Sequence, residues 1–188
     1  MALPSTTVAD FSGKYVLNKQ LSDESKFDDI LAAQGVGLLK RKAVGMVSAT
    51  SDVHVYADEG GVEHLDITAH VSGGFTSKAE RLEGRVLNWT DKEIEHPLFG
   101  ACTTKSKRVL PAEVDAAELQ NGWTPECTAA GVIFIQVVPT SGTDWVSKQV
   151  WGIEEINGEK RHTRRFLVTT KKNKTVYARL VYDYAGPL

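Results

Sequence analysis

What most constrains this chain is a succession of short runs in which apolar and polar residues alternate, each closed by a turn signal, from about residue 53 to the C-terminal end. Alternation with a period of two buries one face of a strand. Runs of this length joined by turns belong to antiparallel barrels or sandwiches rather than to a parallel α/β sheet. The expected strands are Val53 to Asp58, Val62 to Val71, Gly74 to Leu82, Val86 to Trp89, Glu93 to Phe99, Thr103 to Leu110, Val132 to Val138, Trp145 to Ile156, Lys160 to Thr170 and Thr175 to Tyr184, preceded by one that begins at Phe11. Asn157-Gly158 and Lys171-Lys172-Asn173-Lys174 are hairpin signals that divide the C-terminal third into three long strands. The pattern predicts a mainly β protein, an antiparallel barrel or sandwich of about ten strands.

The two arms of a hairpin must agree about which face is apolar, and this fixes the first register. With Glu59-Gly60-Gly61 as the loop, Val55 falls opposite Leu65 and Val53 opposite Ile67, while His54 lies near Asp66 and Tyr56 near His64 on the other face. His64, Asp66 and His70 share one side of their strand, a spacing that suits a metal site or an acid-base pair. The valines occupy the opposite side, so the histidine face is expected outside the barrel and no metal is expected there. His96, beside Pro97 and near Trp89 and Glu95, is a separate candidate for proton transfer, set against a structural role in a turn.

With 188 residues and 41% apolar side chains, the chain is expected to form one domain, 1–188, around one sizeable core. Its 22 basic and 24 acidic side chains nearly cancel, which leaves no bulk charge for a nucleic acid partner. Two cysteines, Cys102 and Cys127, and an N-terminal stretch without a continuous apolar run point to a cytoplasmic protein with reduced thiols. No run approaches the roughly 18 apolar residues of a membrane-spanning helix. Phosphate loops, nucleophile elbows, paired-cysteine zinc motifs and dinucleotide fingerprints are all missing, so no cofactor is implied. Residues from about 111 to 131 interrupt the strand pattern: Ala112 to Leu119 favours a helix, and Asn121-Gly122 and Thr124-Pro125 favour turns. This is an expected insertion, either a second lid or surface decoration.

Between the first strand and Val53 lies Lys26 to Ala43, two short helical stretches broken at Gly35. In order, Phe11, Gly13, Tyr15, Leu17, Phe27, Asp28, Gly35, Val36, Gly37, Arg41 and Lys42 resemble the first strand and lid of the intracellular fatty-acid-binding proteins, within the calycin, lipocalin-like barrels. The resemblance covers roughly residues 11 to 46, and it implies a single antiparallel up-and-down β-barrel of about ten strands with a helix-turn-helix lid, about 22–46, over a cavity for one hydrophobic ligand. Phe27, Ile30, Leu31, Leu38 and Leu39 are spaced to turn an apolar stripe toward the mouth. Lys40, Arg41 and Lys42 can then touch an anionic membrane surface transiently, each basic residue contributing about 1 kcal/mol.

The same resemblance implies two inward arginines that hold a carboxylate. Aligning Tyr182 with the family tyrosine puts Leu180 at one of these positions, and aligning the preceding hairpin puts Ile153 at the other. Arg179 alternates to the opposite face, and of the adjacent Arg164 and Arg165 one can turn inward, with Arg165 taken as the cavity residue. Loss of both anchors favours a neutral or weakly polar ligand. The expected ligand-binding set is Tyr15, Phe27, Leu31, Leu38, Phe75, Trp89, Trp151, Arg165, Leu180 and Tyr182. The main functional expectation is non-covalent binding or carriage of a lipid, terpenoid or polyketide by a monomer. The alternatives are a cofactor-independent isomerase or cyclase acting in the same cavity, and a protein-interaction barrel with a filled core.

Overall fold

The computed structural model describes residues 10–46, 48–72, 78–140, 142 and 144–188. Each turn signal reverses the chain, so sequential strands lie side by side. The strands are β1 (Gly13–Leu17), β2 (Ser48–Ala57), β3 (Glu63–Ser72), β4 (Lys78–Val86), β5 (Lys92–His96), β6 (Gly100–Val109), β7 (Val132–Pro139), β8 (Trp145–Ile156), β9 (Glu159–Thr170) and β10 (Thr175–Gly186). Among the described residues these ten antiparallel strands form one sheet in the order β4-β3-β2-β1-β10-β9-β8-β7-β6-β5, curled into a half-barrel. β1 joins the first hairpins to β10, so every other neighbour in the sheet is also a neighbour in sequence.

The β2–β3 register is the expected one: Val53 pairs with Ile67, Val55 with Leu65, His54 with Asp66 and Tyr56 with His64. Val53, Val55, Leu65 and Ile67 are buried, and Gly61 takes the left-handed conformation (φ 78°) that closes the loop. The histidines lie on the outer side, His64 on Asp58 (3.0 Å) and His70 on Asp52 (2.9 Å). Asn157 and Gly158 both have positive φ (55° and 77°), the requirement of a two-residue hairpin loop with the twist of its strands. That loop pairs Ile156 with Glu159 and therefore Trp151 with Arg164.

β2 begins at Ser48 rather than Val53 and β6 at Gly100 rather than Thr103, and three further strand expectations change. The strand expected from Gly74 begins at Lys78; Phe75 lies outside the described residues. Val86 to Trp89 is no strand of its own, because β4 ends at Val86 and the chain crosses from one sheet edge toward the other. There Asn88 bridges to Lys107, Trp89 N–H donates to the Ser106 carbonyl (2.8 Å), and Trp89 takes a left-handed φ of 61°. The expected β5 is shortened to end at His96, where Pro97 cannot donate to a ladder.

The insertion covers the outer face of β8 and β9, away from the barrel mouth. The helix expected over Ala112 to Leu119 is replaced by two 3-10 turns, Pro111–Glu113 and Ala117–Leu119, separated by Ala116 in extended conformation (φ −172°). The break lets Val114 and Leu119 both be buried, which a continuous helix would have placed on different sides. A short helix, α3 (Pro125–Ala130), follows and starts on the Thr124 cap. Trp123 lies against Gly152, where a Cβ atom would sit 2.9 Å from its ring, and Cys127 Sγ accepts from the Ile153 N–H (3.1 Å). Absence of a side chain at Gly152 is what lets the insertion dock. Under it Glu154, 3% exposed, accepts from Thr163 Oγ1 (2.7 Å), Arg165 Nε (2.7 Å) and Arg179 Nη1 (3.2 Å).

Between β1 and β2 lie α1 and α2, the lid helices Glu24–Ala33 and Leu38–Met46. α1 buries Ile30 and Leu31 and sets Phe27 edge-on to Phe166, with ring centroids 5.3 Å apart. Gly35 breaks the pair with φ 84°. The expected stripe stops there: Leu38 is 58% and Leu39 86% exposed, and the apolar contact is made by Val36 in the break. α2 has no buried residue and is tied to α1 by the Arg41–Asp28 ion pair. A nine-residue helix without a buried face is marginal on its own. Amide exchange in 38–46 is therefore expected to be much faster than in β8 to β10; protection equal to that of the strands would show that α2 is held by more than its visible contacts. Among the described residues no helix is long and apolar enough to cross a membrane.

Candidate active site

A cavity of about 280 Å³ lies between α1, the inner face of the sheet and the turn after β5. Its position follows from strand parity. Ser147, Gln149 and Trp151 alternate inward on β8, Arg164 and Phe166 on β9, and Leu180 and Tyr182 on β10, while the lid supplies Phe27, Leu31 and Gln34. β5 and the turn after it supply Ile94 to Phe99, and β3, β4 and β7 add Ile67, Arg85 and Val137. Most of the wall is apolar or aromatic, with a few polar groups converging on it, which is the usual make-up of a small-molecule site.

The floor is built around Arg164. Its guanidinium carbon lies 3.9 Å from the Trp151 ring centroid and 4.4 Å from that of Tyr182, so aromatic faces cover it. Its Nε donates to His162 Nε2 (3.2 Å), and the His162 Nδ1–H donates in turn to the Gly152 carbonyl (3.2 Å). His162 is fully buried and stacks on Phe11 at 4.8 Å. Burial, and then the neighbouring guanidinium, hold its pKa well below the usual histidine value, so it remains neutral and accepts from Arg164. Burial also lowers the pKa of Arg164, although an arginine stays charged. Next to it, Trp151 Nε1 donates to Gln149 Oε1 (3.3 Å) and Gln149 Nε2 to Ser147 Oγ (3.4 Å).

On the opposite wall Arg85 donates to Thr104 Oγ1 (2.7 Å) and Ser106 Oγ (3.2 Å). His96 borders the cavity with its ring 4.3 Å from Phe99, while Nδ1 accepts from the Leu98 N–H (3.2 Å). Burial and the charge on Arg85 push its pKa down to about 4. His96 is thus a turn residue and a neutral imidazole at the cavity rim together.

Of the residues expected from sequence, Phe27, Leu31, Trp151, Leu180 and Tyr182 line the cavity. Tyr15 does not: it is buried below the floor, its hydroxyl donating to the Phe11 carbonyl (2.6 Å) and its ring 5.0 Å from His162. Leu38 is on the exposed side of α2. Trp89 lies outside the sheet under Lys105 and Lys107, stacked on Phe134 at 5.2 Å. Arg165 faces outward onto Trp123 (4.3 Å) and Glu154, because the register places Arg164 on the inner face. Ser147, Gln149, Arg85 and Arg164 are the polar lining that sequence reasoning did not select. Their signal was present in β8 and β9, where the parity of Trp151 carries over to Gln149 and, through the Asn157-Gly158 loop, to Arg164.

No protein-family model matches the chain. Over 184 residues, 97% of this chain and 94% of the relative, it is 30% identical to the probable pericyclase scpY of Mollisia scopiformis. The chain belongs to that pericyclase family. It is also 26% identical over 189 residues to pericyclase pydY of Acremonium sp, covering 100% of this chain and 98% of that protein. At 97% and 100% coverage of this chain the two similarities span the lid, the insertion and the cavity-lining strands rather than one shared segment.

Proposed function

We propose that this protein is itself a pericyclase, closing a ring in a hydrophobic, polyunsaturated substrate within the lidded cavity. The observation that carries this reading is the end-to-end similarity to two pericyclases in a fold that leaves a preformed cavity. It favours the cyclase alternative over carriage, and an open cavity disfavours the filled-core interaction module.

The chemistry suits the site. In a pericyclic step, bonds form and break together in one cyclic transition state, and the reactant and product are isomers. What a protein adds is conformation: a flexible polyene must be folded with its reacting termini in contact, and holding that near-attack conformer removes the conformational-entropy part of the barrier. The aromatic floor of Trp151 and Tyr182, with Phe27 and Leu31 above, supports such a folded chain. Donors at Gln149, Ser147 and Arg164 can hold a carbonyl whose negative charge grows in the transition state, an interaction stronger there than in the ground state.

Because reactant and product have equal mass, loss of the gene in its own organism should replace one cyclic metabolite by an isobaric compound with a longer conjugated chromophore. Dialysed, purified protein should convert that compound to the cyclic product, followed by absorbance and mass spectrometry. If the protein binds the isomer and returns it unchanged, the carrier reading stands and this one fails.

A further inference from the structure

We infer that the substrate carries an oxygen-borne negative charge, a carboxylate or the enolate of an acidic 1,3-dicarbonyl, and that Arg164 is the residue that binds it. This deepens the pericyclase reading and rests on it, but its test needs no turnover.

The case comes from two adjacent residues. Arg164 and Arg165 are 9% and 7% exposed on opposite faces of the same strand. Arg165 is provided for: Glu154, Thr163 beside it and the Asn121 carbonyl complete its surroundings. Arg164 has two aromatic faces and one bond to a neutral histidine, its Nη2 is buried with no hydrogen-bond partner, and among the described residues no carboxylate pairs with it. An unpaired buried charge is costly, and a desolvated cation–π contact offsets only part of that cost. Such a group persists where a ligand completes it. Nothing else in the cavity does so. Among the described lining residues the carboxylate is that of Glu95, which is exposed at the rim, and Arg85 adds a second positive charge on the opposite wall.

The geometry also replaces an expectation from the sequence. Leu180 stands where the resembling family places an anchoring arginine, which argued for a neutral ligand. The register pairs Leu180 with Arg164, so the guanidinium has moved one strand across at the same level of the barrel. His162 holds it from behind as an acceptor, which directs the remaining edge of the fork away from the core.

The test uses cis-parinaric acid, a fluorescent conjugated polyene, and its methyl ester, titrated into the full chain at pH 7.5. The acid is expected to bind at least tenfold more tightly than the ester. Arg164→Met should abolish that preference with ester affinity kept within about twofold, and Arg164→Lys should retain part of it, a point charge replacing a fork. Folding of each variant is checked by circular dichroism, and the wild-type comparison stands without either variant. A second arm displaces the bound acid with 2-dodecanoyl-1,3-cyclohexanedione, an enolate at this pH, or with its enol methyl ether; tighter binding of the enolate than of parinaric acid identifies the dicarbonyl as the better ligand chemistry. Equal affinities of both charged probes and their neutral counterparts, or a charge preference that survives in Arg164→Met, would overturn the inference. If the isobaric precursor is nonetheless cyclised, the inference alone is lost; a charge preference without cyclisation would remove the pericyclase reading and keep the anion site.

Discussion

Replacing Glu154 with glutamine is expected to destabilise the protein by about 3–5 kcal/mol and to lower its melting temperature by roughly 10 °C. Glu154 is the one carboxylate on which Thr163, Arg165 and Arg179 converge under the insertion. Its loss leaves the guanidinium of Arg165 buried without a countercharge, and that uncompensated charge, not the lost hydrogen bonds, accounts for most of the effect. Arg179 is partly exposed and can turn to water, so its share is smaller. Thermal melts followed by circular dichroism measure the change. A double variant, Glu154→Leu with Arg165→Met, should recover much of the loss, since replacing both partners by apolar groups of similar shape is often close to neutral. A melting temperature for Glu154→Gln within a degree or two of wild type would mean that water already reaches the pair.

Acid is expected to weaken the fold through His162. Its pKa in the folded state lies well below the unfolded value of about 6.5, because burial and Arg164 both disfavour the imidazolium. The unfolded chain therefore binds more protons than the folded one at any pH between the two values, and stability falls as pH falls through that window. The slope is about 1.4 kcal/mol per pH unit, so moving from pH 7 to pH 5 should cost about 2 kcal/mol from this residue. His96, held at about 4, acts in the same direction with a smaller effect because it is partly exposed. Urea titrations at pH 7, 6 and 5 give the slope, and His162→Gln should flatten it. A slope unchanged by that substitution would assign the acid sensitivity to other groups. The coupling also has a functional side, since a protonated His162 can no longer accept from Arg164 and the floor of the cavity would lose its arrangement.

Where sequence reading succeeded, the information was local. Hairpin chemistry and apolar alternation are enough to set strands, and the β2–β3 register followed from Glu59-Gly60-Gly61 because a slip by one residue would have set Val55 opposite His64 and mixed the apolar and polar faces. Gly35 ended the first lid helix for the same kind of reason, a φ that few other residues adopt. Five lining residues were legible as inward apolar or aromatic positions.

The cavity arginine is a case where the sequence held the answer in a form that needed one more step. Asn157-Gly158 dictates a two-residue loop, the loop dictates that Trp151 faces Arg164, and the two must therefore share a face. Selecting Arg165 ignored that constraint. Other residues offered no such route. Nothing local tells that Leu38 and Leu39 stay exposed while Val36 is buried, that Trp89 packs on the outside, or that Arg85 on β4 confronts Arg164 on β9.

The sequence by itself determined a mainly β, up-and-down chain with a lid after its first strand, because turn residues and a period of two act over neighbouring positions and are written into them. Only the tertiary structure decided what the barrel encloses. Strands β4 and β9 meet across the cavity although some eighty residues separate Arg85 from Arg164, and the insertion finds its seat at Gly152 because that position alone leaves room for Trp123. The burial of Arg164 away from any carboxylate among the described residues, on which the ligand assignment depends, is a property of curvature and packing in the curled sheet; the pair Arg164-Arg165 reads the same in the chain whichever of the two lacks a partner.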